Sequence, residues 1–510
     1  MTLQRCVVTS CVLAAFGVSV FAAPPAGLKQ KVDAWVTANQ RAIVTELVDL
    51  LAIPNVAADR ENIRKNAVRL REMFAKRGLT AEILETAGNP LVWGEMKAAG
   101  ATRTLLMYAH YDGQPVNPKD WKQPSPFTPI LRGGRMEDNG TELGDLATRT
   151  TFAADQRIYA RSASDDKSPI VALLAAIDAL KANGLQPSSN IRVILDGEEE
   201  AGSPSLVPAI AKYRDKLTAD VMFILDGPLH PSERPTVVYG ARGILTLQLT
   251  SYGPKFALHS GHYGNWVPNP AMRLVQLLAT MKGDDGQVLI KGFYEGVPRL
   301  TAQEQAMLDG VPDDPAALQA LFGIAGPERP GLKLQEALQY PSLNIRGLSS
   351  GFVGGEARTI IPATATAEID VRLVKETPAA RLRELVVAHI RAQGWHVVTT
   401  DPDDAMRAKY PKIVKVIARG EGTNAFRTSP LLPISEQVAS SMREVFGAPP
   451  VQIRTMGGTV PITPFIEALG FPAINVPTVN FDNNQHGENE NLRLGHFFRA
   501  ITTMAALLTM

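Results

Sequence analysis

Three short apolar runs each end on side chains that can carry charge. TLLMYAHYD (104–112) ends on His110 and Asp112, IRVILDGEEE (191–200) on a glutamate triplet, and VMFILDGP (221–228) closes on Asp226. A continuously apolar strand needs both of its faces covered, which is the condition of a buried, largely parallel strand. Where such strands alternate with helices, the chain is constrained to an α/β sheet flanked by helices, with ligands at the carboxyl ends of the strands. Amphipathic helices are predicted over 28–52, ending before Pro54, and over 60–78, stopped at Gly78; a further helix is predicted over 167–183. The Pro- and Gly-rich stretch 113–160 reads as a long loop with a short hairpin.

Near Gly240 the texture changes. RGILTLQLTSYG (242–253) and ATATAEIDVRLV (363–374) alternate apolar and polar residues, the pattern of antiparallel, half-exposed strands. Polar, Pro-rich 298–340 between them reads as helical insertion and loop. The expected organisation is a catalytic domain with a mostly parallel central sheet, built from 24–240 and 426–510 and interrupted by an inserted α+β domain over 241–425. A helix at 435–446, strands near 451–454 and 472–476 and a terminal helix resume the first pattern.

The first residues carry a targeting pattern: Arg5, an apolar run from Cys6 to Phe21, and small residues before a break at Pro24-Pro25. A signal peptide over 1–23 and a periplasmic or secreted protein are expected. Both cysteines, Cys6 and Cys11, lie inside that segment, so a processed chain has no thiols, and any metal must be held by nitrogen and oxygen. A net charge of +1 with no basic stripe argues against nucleic acid as a partner, and no stable membrane partner is expected.

The chemistry-bearing residues form an ordered set: His110 and Asp112, Asp165-Asp166 in RSASDDKS, Glu199-Glu200 in GEEEAGS, Asp226, and His486 in NNQHGENENL. Isolated, each has a plain reading as a turn, a helix cap or a solvated loop; together they supply the ligands of a two-metal hydrolase. Asp165 is the candidate bridge. His110 and Asp226 complete one metal, Glu200 and His486 the other. Glu199, next to a ligand but off the metal, is the candidate general base and acid. Asp112 suits a partner holding the His110 tautomer. Imidazole and carboxylate ligands fit two divalent ions, zinc first, with manganese or cobalt compatible.

This chain resembles, over roughly 40–505, the metal-dependent peptidase and deacylase family of carboxypeptidase G, succinyl-diaminopimelate desuccinylase, acetylornithine deacetylase and the carnosine-type dipeptidases. The resemblance rests on a strand ending H-x-D, a D-D-K segment, E-E-x-G-S, an acidic residue after a strand and a late histidine. It implies the same metal ligands and the same base, and a cis peptide at Asp165-Asp166. It also implies that His259, in the H-S-G of FALHSGHYG, stabilises the oxyanion, often from a partner subunit. Arg372 in DVRLV would hold the substrate carboxylate, and Gly457, Gly458 and Thr459 in TMGGTVP would lie near the substrate C-terminus. Two glycines of the family's R-G-x-x-D-D-K-G are replaced here by Ser162 and Ser168. The inserted domain would serve as lid and homodimer interface.

The leader and the resemblance together imply an exported dipeptidase or short-peptide hydrolase, with Asp226 tilting toward the dipeptidase branch. An N-acyl amino acid deacylase or glutamate-type carboxypeptidase is the alternative on the same site. An inactive binding protein on the same fold is a third reading, opposed by the intact Glu199 and ligand set.

Overall fold

Strands Thr104–His110, Asn190–Asp196 and Val221–Ile224 lie parallel at the centre of an eight-stranded sheet in the computed structural model, which describes residues 23–144 and 146–510. The order across the sheet is Thr80–Leu84, Leu91–Met96, Asn190–Asp196, Thr104–His110, Val221–Ile224, Ala473–Asn475, Thr236–Val238 and Val451–Ile453. The sheet is mixed, with four neighbouring pairs parallel and three antiparallel. Thr80–Leu84 and Leu91–Met96 pair antiparallel, and Leu91–Met96 runs antiparallel to Asn190–Asp196. The first pair is joined only by 85–90, far short of the crossover of about a dozen residues that parallel pairing requires.

Helix Lys167–Ala182 is buried along almost its whole length, which explains its nearly uninterrupted apolar sequence. It packs between Leu28–Leu51 and the terminal helix Leu494–Thr509. Each fully buried leucine or isoleucine there contributes roughly 1.5–3 kcal/mol. This packing anchors the helix whose first turn follows Asp165 and Asp166.

The second sheet has the order Ser342–Ser349, Thr364–Leu373, Gly243–Tyr252, Ile413–Ala418, His396–Val398. Its alternation has a simple cause: Leu245, Leu247, Leu249, Ile369 and Val371 face a core closed by helices Pro270–Ala279 and Ala379–Ala392. Gly243–Tyr252 and Thr364–Leu373 pair with each other in unbroken register and are flanked on both sides. They therefore offer no free edge; the edges are Ser342–Ser349 and His396–Val398. Between the sheet strands, the 298–340 stretch carries short helices Ala302–Asp309, Pro315–Phe322 and Leu334–Ala337.

The Pro/Gly-rich stretch does contain a hairpin, Ile130–Arg132 with Glu142–Leu143, but it belongs to a four-stranded sheet completed by Arg157–Tyr159 and Asn491–Arg493. Strands of three residues are too short to register as a periodicity. This small sheet ties the segment before Asp165 to the segment after His486. Histidines outside the motifs take ordinary structural roles: His396 stacks on Tyr410 at 3.5 Å, His389 meets Thr280, and His496 faces Glu233. No helix among the described residues is long and apolar enough to cross a membrane.

Candidate metal centre

His110 is the last residue of its strand and is fully buried. Its Nε2 stands 2.9 Å from Asp165 Oδ1, and its backbone N–H donates to Asp166 Oδ2 at 3.2 Å. The Asp165–Asp166 peptide is cis. Asp166 occupies the N-cap of the Lys167–Ala182 helix without making a side-chain cap bond, so its carboxylate is spent on the His110 backbone instead. His486 approaches from the far segment, its Nε2 3.2 Å from Asp165 Oδ2 and 3.5 Å from Glu200 Oε2. Two ligand sets result, His110–Asp165–Asp226 and Asp165–Glu200–His486, each with its ligand atoms within 4.8 Å of one another. Asp165 is common to both.

The glutamate triplet divides its work. Glu198 accepts the backbone N–H of Asn89 at 3.0 Å and of Ser205 at 2.8 Å, fixing the loop. Glu200 belongs to a ligand set, and Gln114 donates to its Oε2 at 2.7 Å. Glu199 lies beside both sets without belonging to either. Asp112 does more than orient the imidazole: Oδ1 accepts the backbone N–H of Glu199 and Oδ2 that of Glu200, both at 3.0 Å. Asp112 Oδ1 also stands 3.3 Å from His110 Nδ1. One buried carboxylate thus registers the strand carrying His110 against the turn carrying the glutamates. Gly197 allows that turn to form, because a Cβ there would meet the Tyr111 hydroxyl at 2.4 Å.

The centre concentrates negative charge in a dry place. Burial, with Asp165 nearby, pushes Asp226 up to about 6 and Glu200 up to about 7. Burial also drives Glu199 well above the usual carboxylate range, and repulsion from Asp226, Glu200 and Asp165 adds to it. Against the cost of burial, hydrogen bonding to His110 and the approach of His486 hold Asp165 well below that range. His110, opposed by burial, is raised well above the ordinary imidazole range by Glu199, Asp112 and Asp165. Buried Asp226 Oδ1 has no hydrogen-bond donor, and Asp165 Oδ2 faces the His486 imidazole. Orphaned carboxylate oxygens beside convergent imidazoles are the donor set of a divalent cation. At zinc–ligand distances of about 2.0–2.2 Å, two ligand atoms on one ion stand roughly 3.3 Å apart, so the observed spacings fit.

These shifts predict the pH dependence of metal binding. Carboxylates pushed up to about 6 and 7 must lose protons to become ligands, so zinc affinity should fall as pH drops through that window. Calorimetric titration of the metal-free protein at pH 6, in two buffers of different ionisation heat, should show proton release. Identical heats in both buffers would contradict it.

The residues expected on the substrate side fall into two places. Arg372 Nη1 donates to Thr459 Oγ1 at 2.8 Å, joining the second sheet to the Gly457-Gly458-Thr459 loop. Gly457 lies against Leu338, whose Cδ2 would be 3.2 Å from a Cβ at that position. His259 is exposed, capping a short helical turn; its neighbours are Gly261, His262 and Thr359 rather than the ligand sets. Sequence reasoning did not single out Gln114 or Glu490. The first lies four residues beyond His110 and the second four beyond His486, and neither spacing is diagnostic.

A helix-flanked α/β sheet that gathers two carboxylate–imidazole sets around one shared aspartate defines the class: a metal-dependent hydrolase. The chain belongs to Peptidase family M20/M25/M40, whose sequence profile matches residues 106–510. It is 27% identical over 487 residues to the Cys-Gly metallodipeptidase DUG1 of Candida albicans, covering 91% of this chain and 93% of that one. With the human Beta-Ala-His dipeptidase it shares 23% identity over 514 residues, 95% of this chain and 92% of that protein. The M20 family metallo-carboxypeptidase Sso-CP2 from Sulfolobus solfataricus superposes with a TM-score of 0.72 at 29% identity, covering 91% of this chain and 98% of that one.

The expectation of a periplasmic or secreted protein is corrected by these relatives: the yeast Cys-Gly metallodipeptidases are cytosolic enzymes. The apolar leader on which that expectation rested falls, through residue 22, outside the described residues.

Proposed function

We propose that this chain hydrolyses dipeptides or short peptides that have a free C-terminal carboxylate. The observation that carries this reading is the pair of ligand sets sharing Asp165, with Glu199 buried beside them and committed to neither. The names of its relatives, Cys-Gly metallodipeptidase and Beta-Ala-His dipeptidase, supply the substrate class. His110, Asp165, Asp226, Glu200 and His486 would hold two divalent ions, zinc first and manganese or cobalt next, which would supply Lewis acidity toward the scissile carbonyl and the attacking water. Glu199 takes the proton of that water and returns it to the leaving amine. Asp112 keeps Glu199 and His110 in register through the bonds described above. Arg372, braced by Thr459, binds the substrate carboxylate through a bidentate pair, with Gly457 and Gly458 leaving room for the backbone.

His259 has the role of donor to the developing oxyanion. Because it stands apart from the ligand sets of its own chain, it would act on the site of a second copy. The 241–425 unit would then form the homodimer interface. Its support is exposed apolar surface on that unit: Ile345 and Leu348 on the edge strand, and Met272 and Val275 on its helix Pro270–Ala279.

A carboxypeptidase reading is favoured by the likeness to Sso-CP2. Purified protein reconstituted with zinc should cleave free-amine dipeptides at least tenfold faster, in kcat/KM, than N-acetylated amino acids or N-blocked peptides. A reversed order would give the carboxypeptidase or deacylase reading the better claim.

A further inference from the structure

Glu490 is buried and belongs to neither ligand set, yet it is among the most heavily bonded side chains of the molecule. Its Oε1 accepts the backbone N–H of Ser164, the Ser164 hydroxyl and the backbone N–H of Asp165, each at 2.9 Å. Oε2 accepts the backbone N–H of Ser162 at 2.9 Å and Arg161 Nη1 at 2.8 Å. The same arginine returns to the far segment, donating from Nη2 to the Gly487 carbonyl at 3.1 Å, and its guanidinium lies over the Trp121 ring. The Glu490 carbonyl accepts the Ala160 N–H at 3.1 Å. One carboxylate thus joins the turn that presents Asp165 to the segment that presents His486.

We propose that Glu490 is a positioning residue of the metal centre, fixing the Arg161–Asp165 turn relative to His486 so that one aspartate can serve two ions. The turn needs such a brace. Ser162 holds φ at +62°, in the left-handed region that favours glycine. The serine is kept there from outside: its N–H by Glu490 and its hydroxyl by Asn55 Nδ2 at 2.9 Å. Asn55 also donates to the Tyr111 carbonyl at 2.8 Å, next to His110. The chain therefore replaces backbone permissiveness with side-chain bonds, and those bonds converge on the shared ligand.

This inference rests on the metal-centre reading, and the experiment separates the two. Metal-free wild-type, Glu490→Gln and Ser164→Ala proteins are titrated with zinc against a competing chelator, and with cobalt while its visible absorption is followed. Glutamine keeps the shape of Glu490 but turns one acceptor into a donor facing N–H groups. Its zinc affinity at one or both sites should drop about 10- to 100-fold, with an altered cobalt spectrum. Ser164→Ala removes one bond and should lose several-fold with an unchanged melting temperature. Two zinc ions held by Glu490→Gln at wild-type affinity with a wild-type cobalt spectrum would overturn the proposal. If Glu490→Gln does not fold, unchanged affinity in Ser164→Ala overturns it equally. Wild-type protein that binds no zinc refutes the metal-centre reading itself.

Discussion

Glu199→Gln is expected to keep both metal ions and to lose roughly 10²- to 10⁴-fold in kcat. Glu199 lies in neither ligand set, and its backbone is held by Asp112 whatever its side chain. Glutamine preserves the volume and one acceptor oxygen but cannot take a proton. The loss corresponds to about 3–5 kcal/mol of barrier, the scale of a missing acid–base group rather than of a lost fold. KM should change little, because the substrate carboxylate is held elsewhere, by Arg372 and Thr459 in the proposed assignment. The metal-free fold should be no less stable, since the substitution removes one of several mutually repelling buried carboxylates. Metal analysis beside steady-state kinetics checks this. A fall to one ion per chain would make Glu199 a ligand and the assignment wrong.

What the sequence made legible follows from which physical signals are local. Continuous apolar runs identified Thr104–His110, Asn190–Asp196 and Val221–Ile224, and a charged residue at the end of such a run has few places to go but the sheet's carboxyl edge. His110, Asp226 and the glutamates could be read that way. The antiparallel edge of the main sheet was not legible, because pairing direction is set by the length of the 85–90 connection rather than by strand composition. The same limit hides which strands form the edges of the second sheet. Alternation marks Gly243–Tyr252 and Thr364–Leu373 as half-buried, but it says nothing about what lies beside them. Glu490 escaped notice for another reason. Most of its donors are backbone N–H groups on a turn distant in sequence, and a backbone donor leaves no residue type to recognise.

Asp165→Asn should be the most damaging single change, abolishing paired metal binding and bringing activity below detection. Asp165 faces His110 through Oδ1 and His486 through Oδ2, so both ligand sets need both of its oxygens. Asparagine offers one oxygen and presents an amide where a cation should sit. The effect on stability separates this position from Glu199. Wild-type protein at a metal concentration 1,000-fold above Kd gains about 4 kcal/mol per site, whereas Asp165→Asn should gain little. Without metal the variant should also melt below metal-free wild type at neutral pH, because Asp165, held well below the usual carboxylate range by the two histidines, stabilises the fold while ionised. A depressed carboxylate contributes above its unfolded value, about 3.9, and loses that contribution as pH falls further. The gap between the two metal-free proteins should therefore close under strong acid, and melting curves with and without chelator at two pH values test both halves. Two retained metal ions in Asp165→Asn would mean that the sets do not share this residue, and the two-metal centre would have to be rebuilt around another bridge.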